Sequence, residues 1–227
     1  MKVRLLVAVL AALCVPVAAS ADVAWDNPGG NAENFDWAGG HNSDTNLFGS
    51  PSWYGGDNLY FLSSDFAPYA NGTPVTDSAT DTMDVDLTAV GGKKFASIAV
   101  FEYGDYNIVG GAGNTVSADL GMTGTAAGHP MSPFLGSFSF GAAGDSAGTV
   151  PWNDDAALSM EFAVPDVTTL HLSVTNTLVA ISDGAGGTAS IQGNFVLLGI
   201  AVTVIPEPAS MSLLALGGLA VLRRRRR

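Results

Sequence analysis

Residues 82–90 read Thr-Met-Asp-Val-Asp-Leu-Thr-Ala-Val. Met83, Val85 and Leu87 alternate with Asp84, Asp86 and Thr88, so one face of this segment is dry and the other wet. A period of two is the mark of a half-buried β-strand. The pattern returns downstream. Leu158, Met160, Phe162 and Val164 alternate with Ser159, Glu161 and Ala163, and Leu170, Leu172 and Val174 with His171, Ser173 and Thr175. Further strands are expected at 58–62, 95–102, 114–120, 136–140, 177–181, 188–191 and 195–204. Glycine pairs and Asp-Gly or Gly-Asn steps punctuate them: Gly91-Gly92, Gly110-Gly111, Asp183-Gly184, Gly186-Gly187 and Gly193-Asn194. Residues 22–57 read as a first strand followed by long loops, and 121–133 as a loop. No convincing amphipathic helix lies between 22 and 205. Short strands with Gly-rich turns predict an all-β body, a β-sandwich or jelly roll. A β-helix is the alternative arrangement, but no stacked repeat of hydrophobic rungs supports it.

The whole chain has 227 residues, 28 of them Gly and 11 Pro, with 47% apolar residues. That is enough for one domain with an ample core. The formal net charge is −12, unevenly spread. Between 22 and 205 only Lys93 and Lys94 are basic, against 20 acids, giving −18. Such a body cannot neutralise phosphates, so nucleic acid is excluded as a partner. Acidity of this kind keeps a surface solvated and self-repelling.

The two ends are basic and apolar. Residues 1–21 carry Lys2 and Arg4, an apolar run over 5–15, and the small-residue site Ala19-Ser20-Ala21. These are the three parts of a secretory signal peptide, a short helix with cleavage expected after Ala21. Cys14 is the only cysteine. Removal of the signal leaves no thiol, so neither disulfide nor thiolate chemistry remains.

At the other end stand Pro206, Glu207 and Pro208, then an apolar stretch over 209–222, then Arg223, Arg224, Arg225, Arg226 and Arg227. Fourteen residues make about 21 Å of helix, short for a hydrocarbon core of about 30 Å. Flanking arginines that snorkel narrow the gap and stay on the cytoplasmic side. A single transmembrane helix with a cytoplasmic basic stop is expected. The order and spacing of these parts resemble the PEP-CTERM sorting signal. The resemblance covers residues 206–227 and implies processing by an exosortase, a membrane protease of transpeptidase type. It also implies a membrane-anchored precursor and export to the cell envelope or extracellular matrix. The expected organisation is therefore signal peptide 1–21, exported all-β domain 22–205 and sorting signal 206–227. Such a tail is an address and assigns no chemistry to the body.

The body offers few chemical motifs. Gly144-Asp145-Ser146-Ala147-Gly148 fits G-x-S-x-G, but no helix pattern follows Ser146, as a nucleophile elbow needs. Ser146 is thus a weak hydrolase candidate, and a non-enzymatic body is expected. His41, His129 and His171 have no metal-ligand spacing. Asp81, Asp84 and Asp86 are the densest acid cluster and the leading guess for a calcium site. A solvated strand face is the plainer reading of them. Trp25, Trp37, Trp53, Tyr54 and Tyr60 suit a core better than a sugar platform. A carbohydrate-binding module, with polysaccharide as partner, is the alternative function.

Overall fold

The computed structural model describes residues 21–204, except 54, 55, 64, 128, 130–132, 147, 154–157, 163–166 and 185. The expected signal and transmembrane helices, Ala19, and the tail residues Pro206, Glu207, Pro208 and Arg223 to Arg227 lie outside the described residues. Among the described residues there are fourteen strands and no helix. In order they are β1 (Val23–Ala24), β2 (Gly30–Asn31), β3 (Phe35–Asn42), β4 (Ser52–Trp53), β5 (Asn58–Phe61), β6 (Tyr69–Asn71) and β7 (Pro74–Ala89). There follow β8 (Lys93–Val109), β9 (Thr115–Thr125), β10 (Phe134–Ala143), β11 (Val150–Asn153), β12 (Leu158–Glu161), β13 (Thr169–Asp183) and β14 (Thr188–Val204).

They form two antiparallel sheets that face each other. The first runs β1-β3-β7-β13-β9-β10, with β2 also on β3. The second runs β11-β8-β14-β5-β4, with β12 also on β8 and β6 on β14. Each sheet is built on one long pair. In the first, β7 and β13 match from Pro74↔Asp183 to Thr88↔Thr169. In the second, β8 and β14 match from Lys93↔Val204 to Val109↔Thr188. Two turns join the pairs across the layers, β7 to β8 and β13 to β14. In the first of these turns the Lys93 N–H donates to the Val90 carbonyl. Gly91 and Gly92 stand at φ 65° and 71°, left-handed values that glycine adopts without a Cβ penalty. Antiparallel pairing throughout overturns the β-helix alternative, whose rungs would be parallel.

The period-two readings at 82–90 and 170–175 hold, with Met83, Val85, Leu87, Leu170, Leu172 and Val174 all buried. Several boundaries move. β7 begins at Pro74, because the polar run 74–80 pairs with β13 although it has no apolar alternation. β9 continues to Thr125 into the expected loop: Met122 and Gly124 keep the inward phase, and Gly124 faces Met160. Residues 22–57 hold four strands where one was expected. β3 was masked by a register shift between Ala38 and His41, at Gly39-Gly40.

The expected turn at Gly193-Asn194 is instead a β-bulge inside β14, where the register slips between Gly193 and Phe195. A Cβ on Gly193 would sit 3.3 Å from Glu102 Oε1 and 3.4 Å from both Phe66 Cβ and Ser63 Oγ. A side chain at this position would press on the core wall, and the bulge shifts side-chain phase by one residue.

Apolar residues of both inner faces form one core. At one end Trp25, Phe61, Phe48 and Phe66 meet edge to face, with centroids 5.1–6.1 Å apart. In the middle Asn176 of β13 donates through Nδ2 to Glu102 Oε1 of β8 at 2.5 Å, both residues fully buried. This bond ties the two layers together. Replacing Asn176 with Ala removes the donor from a buried carboxyl group and should cost roughly 2–3 kcal/mol in urea unfolding. Thr177→Ala, on the outer face beside it, should stay within about 0.5 kcal/mol.

Candidate functional site: the outer face of the second sheet

Strand phase puts Phe101, Tyr103 and Asp105 of β8, Leu197 of β14, and Tyr60 of β5 on the outer face of the second sheet. Leu197 stands opposite both Tyr60 and Phe101. The bulge then adds two consecutive residues to that face. Phe195 packs between Tyr103, stacked at 4.6 Å, and Tyr60, tilted at 5.1 Å. Asn194 donates through Nδ2 to Asp105 Oδ2 at 2.8 Å. Tyr103 is 36% exposed and Leu62, following β5, 65%. A cleft of about 300 Å³ opens beside this strip, with Tyr69, Asp105, Asn107, Ser190 and Gln192 among its lining. The arrangement offers the edges of a ring stack next to directional polar groups, and it carries no cation.

The tryptophans play other parts. Trp25 is buried and donates through Nε1 to Asn42 Oδ1 at 2.9 Å. Trp37 shares a face with inward-pointing Leu87 and lies across Gly30. Trp53 is 51% exposed but stands opposite Leu59, on the inner side of the sheet edge. Tyr54 lies outside the described residues. Of the four described aromatic residues among those singled out in the sequence, Tyr60 alone joins the outer strip. Phe195 was hidden at the start of an apolar run, and Tyr103 lies just past the expected strand 95–102.

The acid cluster is split by the pleat. Asp81 points inward, 1% exposed. It accepts hydrogen bonds from the Ser43 hydroxyl, the Phe48 N–H at 3.1 Å and the Thr82 N–H at 2.8 Å, and so pins the 43–48 loop to β7. Asp84 and Asp86 point out from the first sheet and share that face with two histidines. His171 Nδ1 lies 2.9 Å from Asp86 Oδ1, and His171 Nε2 lies 3.5 Å from Asp84 Oδ1. His41 Nε2 lies 3.9 Å from Asp84 and 3.7 Å from Asp22. Acid and imidazole thus alternate along an exposed row. Among the described residues no group of three or more His, Cys, Asp or Glu side chains has metal-holding geometry.

Ser146 is a structural clamp. Its Oγ accepts from the Ile108 N–H at 2.9 Å and donates to the Gly148 carbonyl at 2.7 Å. Neighbouring Asp145 accepts from the Gly110 and Gly111 N–H groups at 2.5 and 3.1 Å. The Gly-Asp-Ser loop therefore closes the end of β8 and its turn. Among the described residues no hydrogen bond joins Ser146 to a histidine.

Ala21 and Asp22 are exposed just before β1, and β14 ends at Val204. Residues 204–227 match the model of the PEP-CTERM protein-sorting motif. The chain carries a PEP-CTERM sorting signal. The match begins where the last strand ends, so the sandwich hands over directly to the PEP-CTERM segment. No curated protein is significantly similar to the chain. Among solved structures it is similar to the module TmCBM61 in complex with beta-1,4-galactotriose, at 10% identity and TM-score 0.24, covering 76% of this chain and 94% of that one. It is also similar to a family 11 carbohydrate-binding module from Clostridium thermocellum in complex with a mixed-linked tetrasaccharide, at 11% identity, TM-score 0.19, and 74% and 91% coverage. A third likeness is the enzymatically active domain of bacteriophage CBA120 tailspike protein 4, at 9% identity, TM-score 0.19, and 60% and 19% coverage. Likenesses this loose assign neither ligand nor activity.

Two outcomes test these placements. Asp81→Ala, which strands three donors, should lose roughly 3 kcal/mol in urea unfolding, while Asp84→Ala stays within about 0.5 kcal/mol. Ser146→Ala should lower stability by about 1 kcal/mol, and the parent protein should resist a fluorophosphonate probe. Covalent labelling at Ser146 would contradict the clamp role.

Proposed function

We propose that the protein is an exported β-sandwich of the cell envelope or extracellular matrix, delivered through its PEP-CTERM tail. The observation that carries this reading is the motif match at 204–227, directly after the strand that ends at Val204. In this reading the signal peptide 1–21 directs export and is cut between Ala21 and Asp22. The apolar segment 209–222 holds the precursor in the membrane. The arginines 223–227 stay in the cytoplasm as a stop. An exosortase-type enzyme recognises Pro206-Glu207-Pro208 and cuts nearby. The domain 22–205 is the cargo, and its role is non-enzymatic. Ser146 is absorbed by main-chain bonds, which favours that view over a serine hydrolase.

A second reading concerns what the cargo does once delivered. The ring strip of Tyr60, Phe195 and Tyr103, beside a polar cleft, favours a carbohydrate-binding module over an inert spacer. An apolar ring strip beside hydrogen-bonding side chains suits a polysaccharide. Such a partner is at hand wherever cells build a matrix.

The sorting reading is tested by fusing residues 206–227 to an exported reporter. The fusion should be shortened in cells that hold an exosortase and should remain full length in cells that lack one. Changing Pro206 and Pro208 to Ala should block shortening and leave the reporter in the membrane fraction. Unchanged processing and location in the double variant would refute it.

A further inference from the structure

The bulge at Gly193 gives the outer face of the second sheet two adjoining parts. On one side Tyr60, Phe195 and Tyr103 run across β5, β14 and β8. Two strand spacings make that strip about 10 Å wide. Leu62, Phe101 and Leu197 extend its apolar surface. On the other side Asn194 and Asp105 are held together by their hydrogen bond. Beyond them lies the cleft of about 300 Å³, with Tyr69 and Gln192 in its lining. Ring and amide thus come from neighbouring residues of one strand, because the slip puts Asn194 and Phe195 on the same face.

Charge selects the partner. The body carries −18, and its only cations, Lys93 and Lys94, open β8. They are nine or more residues from Tyr103, about 30 Å along an extended strand. A polyanion approaching the strip meets repulsion and no countercharge. A second copy of the chain would bring another body of −18 against the first, which opposes self-association through this face. An uncharged partner meets neither penalty. A pyranose has an apolar C–H face that suits an apolar strip of ring edges and leucines, and a rim of hydroxyls that needs directional donors and acceptors. Both are present here side by side.

We infer that the outer face of the second sheet binds an uncharged polysaccharide, with sugar rings against the outward edges of the stacked Tyr103 and Phe195 rings and the neighbouring Leu62 and Leu197, and hydroxyls reaching Asn194, Asp105 and Gln192. This rests on the carbohydrate-binding reading above and assigns it a surface and a charge class. The bulge is the positioning device: the slip after Gly193 puts Phe195 on the outer face beside Asn194. The tryptophans contribute to packing and to the sheet edges, and the sugar does not touch them.

The test uses the full chain in detergent. Its migration is followed in native gels cast with hydroxyethylcellulose, dextran or galactomannan, and separately with dextran sulfate. At least one neutral polymer should retard it, and dextran sulfate should not. Tyr103→Ala should weaken retardation at least about tenfold without changing the thermal midpoint, since Tyr103 is part-exposed. Phe195→Ala should weaken retardation likewise, and Leu135→Ala, on the exposed face of the other sheet, should leave binding unchanged. Retardation that survives both ring variants would move the sugar elsewhere and overturn this surface while keeping the carbohydrate reading. No retardation by any neutral polymer would overturn both. A dimer in size-exclusion chromatography that Tyr103→Ala dissociates would make a second copy the occupant and overturn the proposal. Processing of the tail is independent of all these variants, so it reports on the sorting reading alone.

Discussion

The fold turns on how two long antiparallel pairs are held face to face. β7–β13 and β8–β14 are each near-complete ladders, and two turns stitch one to the other. Apolar packing between them is non-directional and would tolerate sliding by a residue pair. The Glu102–Asn176 bond does not, because a buried polar group must meet its partner or suffer desolvation. The two layers therefore have a fixed offset. Within the second sheet Gly193 lies against Glu102, Ser63 and Phe66, so the bulge sits beside the residue that ties the layers together. The buried hydrogen bond and the outward Phe195 thus occupy opposite sides of one stretch of sheet.

Acidity is handled in three ways by the same fold. Asp81 is buried and satisfied by three donors, where it serves as a loop anchor. Asp84 and Asp86 are exposed and interleaved with His41 and His171. Asp105 is tied to Asn194 at the margin of the ring strip. Parity along β7 separates the first two fates: residues 81 and 84 lie on opposite sides of the pleat. Disulfides play no part in this stability, because the one cysteine precedes Ala21. Core packing and ladder length carry the whole load.

Legibility in the sequence followed the chemistry of each segment. Where one face is wet and one dry, as in Met83-Val85-Leu87, alternation revealed the strand and its orientation. It failed in 74–80, where Thr, Asp and Ser fill both faces and only pairing with β13 defines the strand. It failed again at 193–195, where glycine and asparagine mimic a turn and the real event is a change of phase. Phe195 escaped notice because a strand apolar on both sides shows no period, and Tyr103 because the apolar run before it ends at Glu102. The tail was legible because its information is linear: three residues, a short apolar run and a basic end need no tertiary context. Asp81, Asp84 and Asp86 looked like neighbours in one dimension, and the pleat divided them.

β14 is flanked on both sides, by β8 along its length and by β5 and β6 on the other edge, and it leads straight into the sorting segment. Tension on a tethered tail would enter the sandwich along the axis of this central strand. Its ladder bonds lie across that axis and would resist together in shear, whereas an edge strand would peel one bond at a time. A pull at this attachment point is therefore met first by the β8 ladder along β14.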